Sequence, residues 1–132
     1  MKVYRIEIER KDKPGITIGP FLASIYMKEL EAVTWQWKNY LEVVCEEPHG
    51  VTPGHLIGCT TEYKMLQWSG GRWAFEELVQ AGFKLVEIEI EEANVNEYPE
   101  IEQCSFHPSD IISKKQITFD DLTEKVFGVI AS

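Results

Sequence analysis

Two segments in which apolar and charged residues alternate constrain the fold of this chain more than any other feature. Residues 2–10 read KVYRIEIER, and residues 83–92 read FKLVEIEIEE. A period of two places alternate side chains on opposite faces of a strand, so both segments are predicted to be β-strands. Residues 101–106 and 115–121 predict two further strands. The chain is therefore expected to build a sheet.

A long amphipathic helix is predicted after the first strand. Pro20 suits its first position, because no amide hydrogen is needed there. A single helix of about 24 residues is expected, and a bend near residues 33–34 is left open. Residues two apart on a helix point in nearly opposite directions, so one of Trp35 and Trp37 is expected to be peripheral. The apolar stripe comprises Leu22, Tyr26, Leu30, Val33, Trp37, Leu41 and Val44.

Two shorter helices are predicted from residues 60–68 and 72–82, the first capped by Thr60 or Thr61 and the second ended by Gly82. The order of elements predicts an α+β fold, in which one mainly antiparallel sheet packs against one long helix and two short helices. A length of 132 residues with 44% hydrophobic side chains is typical of one domain, here residues 1–132.

Composition limits the classes of function. No stretch approaches the roughly 20 apolar residues that a membrane span needs, so no membrane partner is expected. Three cysteines, an odd number, favour a reducing cytoplasm over a disulfide framework. The net charge is −9, and residues 83–132 hold eleven acidic and four basic side chains. Such a chain repels phosphates, so direct binding of nucleic acid is not expected, whereas a basic protein partner is.

The densest charge lies between residues 87 and 102, which contain seven acids and no base. One interpretation is a solvated face, or a sheet edge that charge protects from aggregation. A second is a surface that binds a basic partner through complementary potential. A third is acid–base chemistry or binding of a divalent cation. The predicted partner-binding residues are Glu87, Glu89, Glu91, Glu92, Glu97 and Glu100.

A loop between the helix and residue 60 has the spacing C-x3-H-x5-H-x3-C. Cys45, His49, His55 and Cys59 could hold a zinc ion, for which thiolate and imidazole are suitable ligands. The favoured interpretation is structural, because free cysteines usually pack as small buried hydrophobes. A catalytic cysteine–histidine pair is a third possibility, but no orienting group stands at a recognisable spacing.

Several short motifs together resemble a family of small phage and prophage proteins. They are VYRIE at the start, GPF, His49 and Pro53 ahead of Gly58-Cys59, Thr61 to Trp68, AGFKLVEIEI, and a late strand that contains Gln103–Phe106 or Gln116–Phe119. The resemblance implies a small phage-encoded accessory protein in the host cytoplasm. The resulting hypothesis is a non-enzymatic protein without a cofactor, which inhibits a host defence or nucleic-acid-handling protein through its acidic surface.

The same pattern faintly resembles mini ADP-ribosyltransferases, which implies an alternative function as an enzyme that uses NAD. By position, Arg5 would contact a cofactor phosphate, Thr60 would brace the nicotinamide pocket, and Glu102 would contact the ribose. Each residue also has an ordinary explanation. Arg5 could pair with Glu87 or Glu89 on a neighbouring strand, and Thr60 could cap a helix.

Overall fold

The computed structural model describes residues 1–41 and 47–128, in which strands and helices form one α+β arrangement. The strands are β1 (Lys2–Glu9), β2 (Thr17–Ile18), β3 (Leu56–Cys59), β4 (Lys84–Ile90), β5 (Val95–Tyr98), β6 (Gln103–Phe106) and β7 (Ile111–Gln116). The α-helices are α1 (Pro20–Tyr26), α2 (Glu31–Tyr40), α3 (Glu62–Trp68), α4 (Arg72–Gln80) and α5 (Phe119–Phe127). Single 3-10 turns lie at Lys28–Leu30, Glu92–Asn94, Pro99–Ile101 and Pro108–Asp110.

The sheet has the strand order β5-β6-β3-β1-β4-β7, and β2 pairs with the end of β1. Every pairing between described strands is antiparallel, which confirms the predicted fold class. The two alternating segments of the sequence, β1 and β4, lie side by side at the centre, with Tyr4 opposite Glu87. β5 and β7 form the two edges.

Apolar side chains are buried on both faces of the sheet. Tyr4, Ile6 and Leu85 pack against the helices, in a core that also contains Trp37 and Leu78. The opposite face carries a second cluster, formed by Val3, Val86, Ile88, Ile90, Cys104 and Phe106. Because both faces of β1 and β4 are covered, three charged residues of these strands are buried, namely Arg5, Glu7 and Glu87.

The prediction of one long helix is wrong. α1 ends at Tyr26, Met27 leaves the helical region with φ −133° and ψ 78°, and α2 begins at Glu31 after a 3-10 turn. The break lets the Met27 side chain, which is 4% exposed, enter the core. Residues 33–34, where the sequence leaves a bend open, both lie inside α2. Residues 42–46, the predicted end of the long helix, lie outside the described residues.

The caps of the later helices fix where two strands end. The Thr61 side chain accepts a hydrogen bond from the backbone of Lys64, which confirms one of the two predicted caps of α3. Thr118 and Asp121 form a reciprocal capping box at the start of α5. The strand predicted over residues 115–121 is therefore wrong for most of its length, because β7 spans Ile111–Gln116 and α5 begins at Phe119. In the described ranges, no helix is long and apolar enough to cross a membrane.

Candidate functional site

Glu87 is buried, so the expectation that it lies on an exposed partner-binding surface is wrong. Its side chain is 7% exposed on the face that packs against the helices. Lys125 of α5 donates to its Oε2 oxygen, and the ammonium groups of Lys2 and Lys115 lie 3.6 and 3.8 Å from Oε1. Burial opposes ionisation, but these three cations outweigh it and hold the pKa of Glu87 below its ordinary value. Glu87 is therefore an internal anion of the fold.

Glu89 is also engaged within the chain. Its Oε1 oxygen lies 3.3 Å from the N-terminal ammonium group of Met1, while 44% of the side chain remains exposed. Lys2 stands opposite Glu89 in the ladder of β1 and β4. Glu89 therefore forms an ion pair within the chain while part of its side chain remains accessible at the surface.

The other four predicted partner-binding residues share a different environment. They lie on β5, on the 3-10 turns that flank it, or directly before one of these turns, and all four are exposed. Within the described part of the chain, none of them has an ion-pair partner. We refer to Glu91, Glu92, Glu97 and Glu100 as the acidic edge.

Thr60 and Glu102 are brought together where β3 and β6 pair. The Thr60 amide donates to the Glu102 carbonyl over 2.9 Å. Glu102 has a left-handed backbone with φ 52°, the one non-glycine residue in the described ranges with positive φ. Its carboxylate accepts a hydrogen bond from Thr61 Oγ1 at 3.2 Å. Both residues thus have structural partners at the start of α3.

Arg5 lies elsewhere, on the face of β1 opposite to the helices. Its side chain is 8% exposed, Nη1 donates to the Ile57 carbonyl over 2.7 Å, and Nε lies 3.6 Å from Glu7 Oε1. Burial lowers the pKa of Arg5, and the charge of Glu7 opposes that shift. The expected pairing of Arg5 with Glu87 or Glu89 is wrong, because these acids belong to the other face of the sheet.

A cleft of about 350 Å³ opens beside Arg5, and we refer to it as the Arg5 cleft. It forms because the same edge of β1 pairs with β3 at Tyr4 and with β2 at Ile8, leaving the stretch between them open. Neither Thr60 nor Glu102 lines it. The three residues named by analogy with ADP-ribosyltransferases therefore do not share this cleft. Its lining includes Phe21, Trp37, His55, Cys59, Met65 and Trp68.

The four residues of the possible zinc site are placed as follows. Cys45 lies outside the described residues, and His49 is exposed. The His55 ring stacks edge-on against His107 with centroids 5.9 Å apart, while Cys59 is buried in the core. Among the residues that the structure describes, no group of three or more potential ligands could hold a metal ion.

Sequence reasoning missed the Arg5 cleft, although one signal pointed towards it. Arg5 stands within VYRI, where apolar residues surround it on both sides. A charged residue between apolar neighbours in a central strand is either buried with partners or placed at a site, and both descriptions fit Arg5. The divergence of β2 and β3 could not be read from the sequence, because it depends on pairing between distant segments.

The chain matches no protein-family model, no curated protein and no solved structure.

Proposed function

We propose that this chain is a small accessory protein of phage or prophage type, which binds and inhibits a host protein in the host cytoplasm. The contact surface is the acidic edge, and the partner presents a basic surface. One observation carries the proposal: the buried acids Glu7 and Glu87 have cations around them, whereas the four exposed acids of the acidic edge have none in the described ranges. The phage origin follows only from the sequence resemblance.

An uncompensated patch of this kind favours association with a cationic surface. Four carboxylates that have no internal partner keep their full potential, which steers a basic protein towards the patch and raises the association rate. They also lie on and around an edge strand, whose backbone groups are available for pairing on one side. The partner is expected to be a nucleic-acid-handling or defence protein, because such proteins carry basic grooves.

The competing explanation is that the charge only prevents edge-to-edge aggregation. The two explanations differ in what neutralisation does. If the acidic edge is a contact surface, neutralising its charge causes loss of the partner. If the charge only protects the edge strand, neutralising it causes self-association of the chain and leaves the partner bound.

Capture from host-cell lysate tests the proposal with two variants of equal charge. One variant carries Glu91→Gln, Glu92→Gln, Glu97→Gln and Glu100→Gln. The control removes four exposed acids elsewhere, through Glu29→Gln, Glu31→Gln, Glu76→Gln and Glu124→Gln. We expect the wild type and the control to retain one partner that the first variant loses, and this partner should elute as salt rises, because screening shortens to roughly 3 Å at 1 M.

Equal retention by both variants would overturn the assignment of the contact surface. Aggregation of the first variant with unchanged capture would support the protective explanation instead. The enzyme hypothesis stays a prediction, and no observation on Arg5, Thr60 and Glu102 favours it.

A further inference from the structure

We infer that the Arg5 cleft binds a small organic carboxylate whose body is aromatic or branched aliphatic. This inference is independent of the acidic edge, which lies at β5 and contributes no residue to the lining of the cleft.

The apolar walls of the Arg5 cleft indicate which kind of ligand body fits it. Phe21, Trp37 and Trp68 form a connected aromatic cluster, with ring centroids 4.9, 5.6 and 6.2 Å apart. Tyr4 and Met65 add further apolar surface from β1 and α3. A volume of about 350 Å³ lies at the lower end of the range for small-molecule sites, which are mostly apolar with a few polar groups.

The polar end of the ligand follows from hydrogen-bonding groups that lack partners. Six buried side-chain polar atoms in the described residues have no hydrogen-bond partner. Three are nitrogens, namely Arg5 Nε, His55 Nδ1 and Trp68 Nε1, and all three residues line the cleft. The other three are oxygens of Glu7, Gln67 and Glu77, and none of these residues lines the cleft. Arg5 Nε and Trp68 Nε1 can only donate, so an occupant that satisfies them must be an acceptor.

The local charge favours an acceptor that is an anion. Glu7 Oε1 lies 3.6 Å from Arg5 Nε, beyond hydrogen-bond distance, and Glu7 Oε2 accepts from Lys114 over 2.8 Å. The Glu7 carboxylate is thus shared between two cations, and Arg5 is more than nine-tenths buried. Glu47 also lines the cleft, but it is exposed, so water screens its charge more strongly. A carboxylate would complete the charge balance and accept hydrogen bonds from the unpartnered nitrogens.

Two ligands that differ only in charge test the inference on the wild-type chain. Naphthalene-1-acetate and its neutral amide have the same aromatic body, and calorimetry gives the dissociation constant of each. We expect the carboxylate to bind at least about 10-fold more tightly than the amide. Equal affinities would overturn the anionic assignment, and no binding of either compound at millimolar concentration would overturn the site.

The location is tested by methyl NMR of the three methionines, since Met65 lines the cleft whereas Met1 and Met27 do not. Titration with naphthalene-1-acetate should shift the Met65 methyl resonance and leave that of Met1 in place. Shifts at Met1 without a shift at Met65 would contradict the location.

A matched pair of variants then tests the role of the guanidinium. Arg5→Met should abolish the preference for the carboxylate, whereas Arg72→Met, which removes an exposed arginine outside the cleft, should retain it. A retained preference in folded Arg5→Met would overturn the role of Arg5. If this variant does not fold, the comparison of the two ligands on the wild type decides the inference alone.

Discussion

Lys125 of α5 donates from Nζ to the Oε2 oxygen of Glu87 at the centre of the sheet. Lys2 from β1 and Lys115 from β7 approach the other oxygen, so three elements meet on one buried carboxylate. In the described ranges, the buried acids Glu7 and Glu87 have cations beside them. The four acids of the acidic edge are exposed and have no ion-pair partner there.

The first prediction concerns the pH dependence of stability. The pKa of Glu87 is lowered in the folded state, so its contribution is present above the unfolded-state value of about 4.3 and is lost as pH falls through the lower folded-state pKa. Glu87→Gln should reduce the free energy of unfolding at pH 7 by about 1–3 kcal/mol, because three lysines lose their anion. Urea unfolding at pH 7 and pH 3 measures both effects.

The control for this prediction is Glu97→Gln, which changes an exposed acid without an ion-pair partner in the described ranges. The difference in stability between pH 7 and pH 3 should be smaller in Glu87→Gln than in the wild type, and nearly unchanged in Glu97→Gln. Identical pH profiles for the wild type and Glu87→Gln would show that Glu87 is not the internal anion described here.

The second prediction concerns the close approach of β3 to β1. A Cβ atom at Gly58 would lie 2.3 Å from Val3 Cγ1 and 3.1 Å from the Tyr4 carbonyl oxygen. Gly58→Ala should therefore destabilise the fold by about 1–3 kcal/mol through overpacking. Adding Val3→Ala removes the nearest obstacle, so the double variant should be more stable than the sum of the two single changes predicts. Thermal unfolding of the four proteins tests this, and strict additivity would contradict the contact.

The third prediction separates two neighbouring tryptophans. Trp37 is 2% exposed and its Nε1 donates to the Trp68 carbonyl over 2.8 Å, whereas Trp35 is 54% exposed. Trp37→Phe should cost about 1–3 kcal/mol, because the carbonyl loses its donor and the core loses volume. Trp35→Phe should change stability by less than about 0.5 kcal/mol. If urea unfolding shows that Trp35→Phe lowers the free energy of unfolding more than Trp37→Phe does, the assignment of Trp37 as the buried tryptophan is wrong.

The fourth prediction concerns Cys104, which is fully buried beside Val3 and Phe106. Burial, reinforced by the charge of Glu97, raises the pKa of its thiol to about 12. Because the thiolate is the reactive form, iodoacetamide at pH 8 should modify Cys104 at least about 10-fold more slowly in the native protein than in urea. Peptide mass spectrometry measures the rate, and rapid native modification would contradict this placement.

The parts of the fold that local pattern determines could be predicted from the sequence. Alternation located β1 and β4, and the i, i+2 geometry of a helix separated Trp35 from Trp37. The break at Met27 could not be predicted, because the apolar spacing continues through it, whereas the burial of the Met27 side chain depends on the packing of the core. β5 was also missed, since VNEY has little apolar alternation and becomes a strand by pairing with β6.

The candidate sites were predicted less well, for a related reason. The alternation of Glu87, Glu89 and Glu91 suggested one exposed row, but exposure depends on which strands and helices cover each face. Glu87 became internal because β4 lies between β1 and β7 and α5 packs over it. Arg5 was singled out by its position in the sequence, but its surroundings depend on the splaying of β2 and β3 along one edge of β1.

The most direct test of the proposed function measures capture and stability on the same samples. The variant with glutamine at all four positions of the acidic edge should unfold at the same urea concentration as the wild type and lose the partner that its charge-matched control retains. Glu87→Gln should do the opposite, with lower stability and, while folded, undiminished capture. Loss of capture by folded Glu87→Gln together with full capture by the acidic-edge variant would contradict the proposed division between internal and contacting acids.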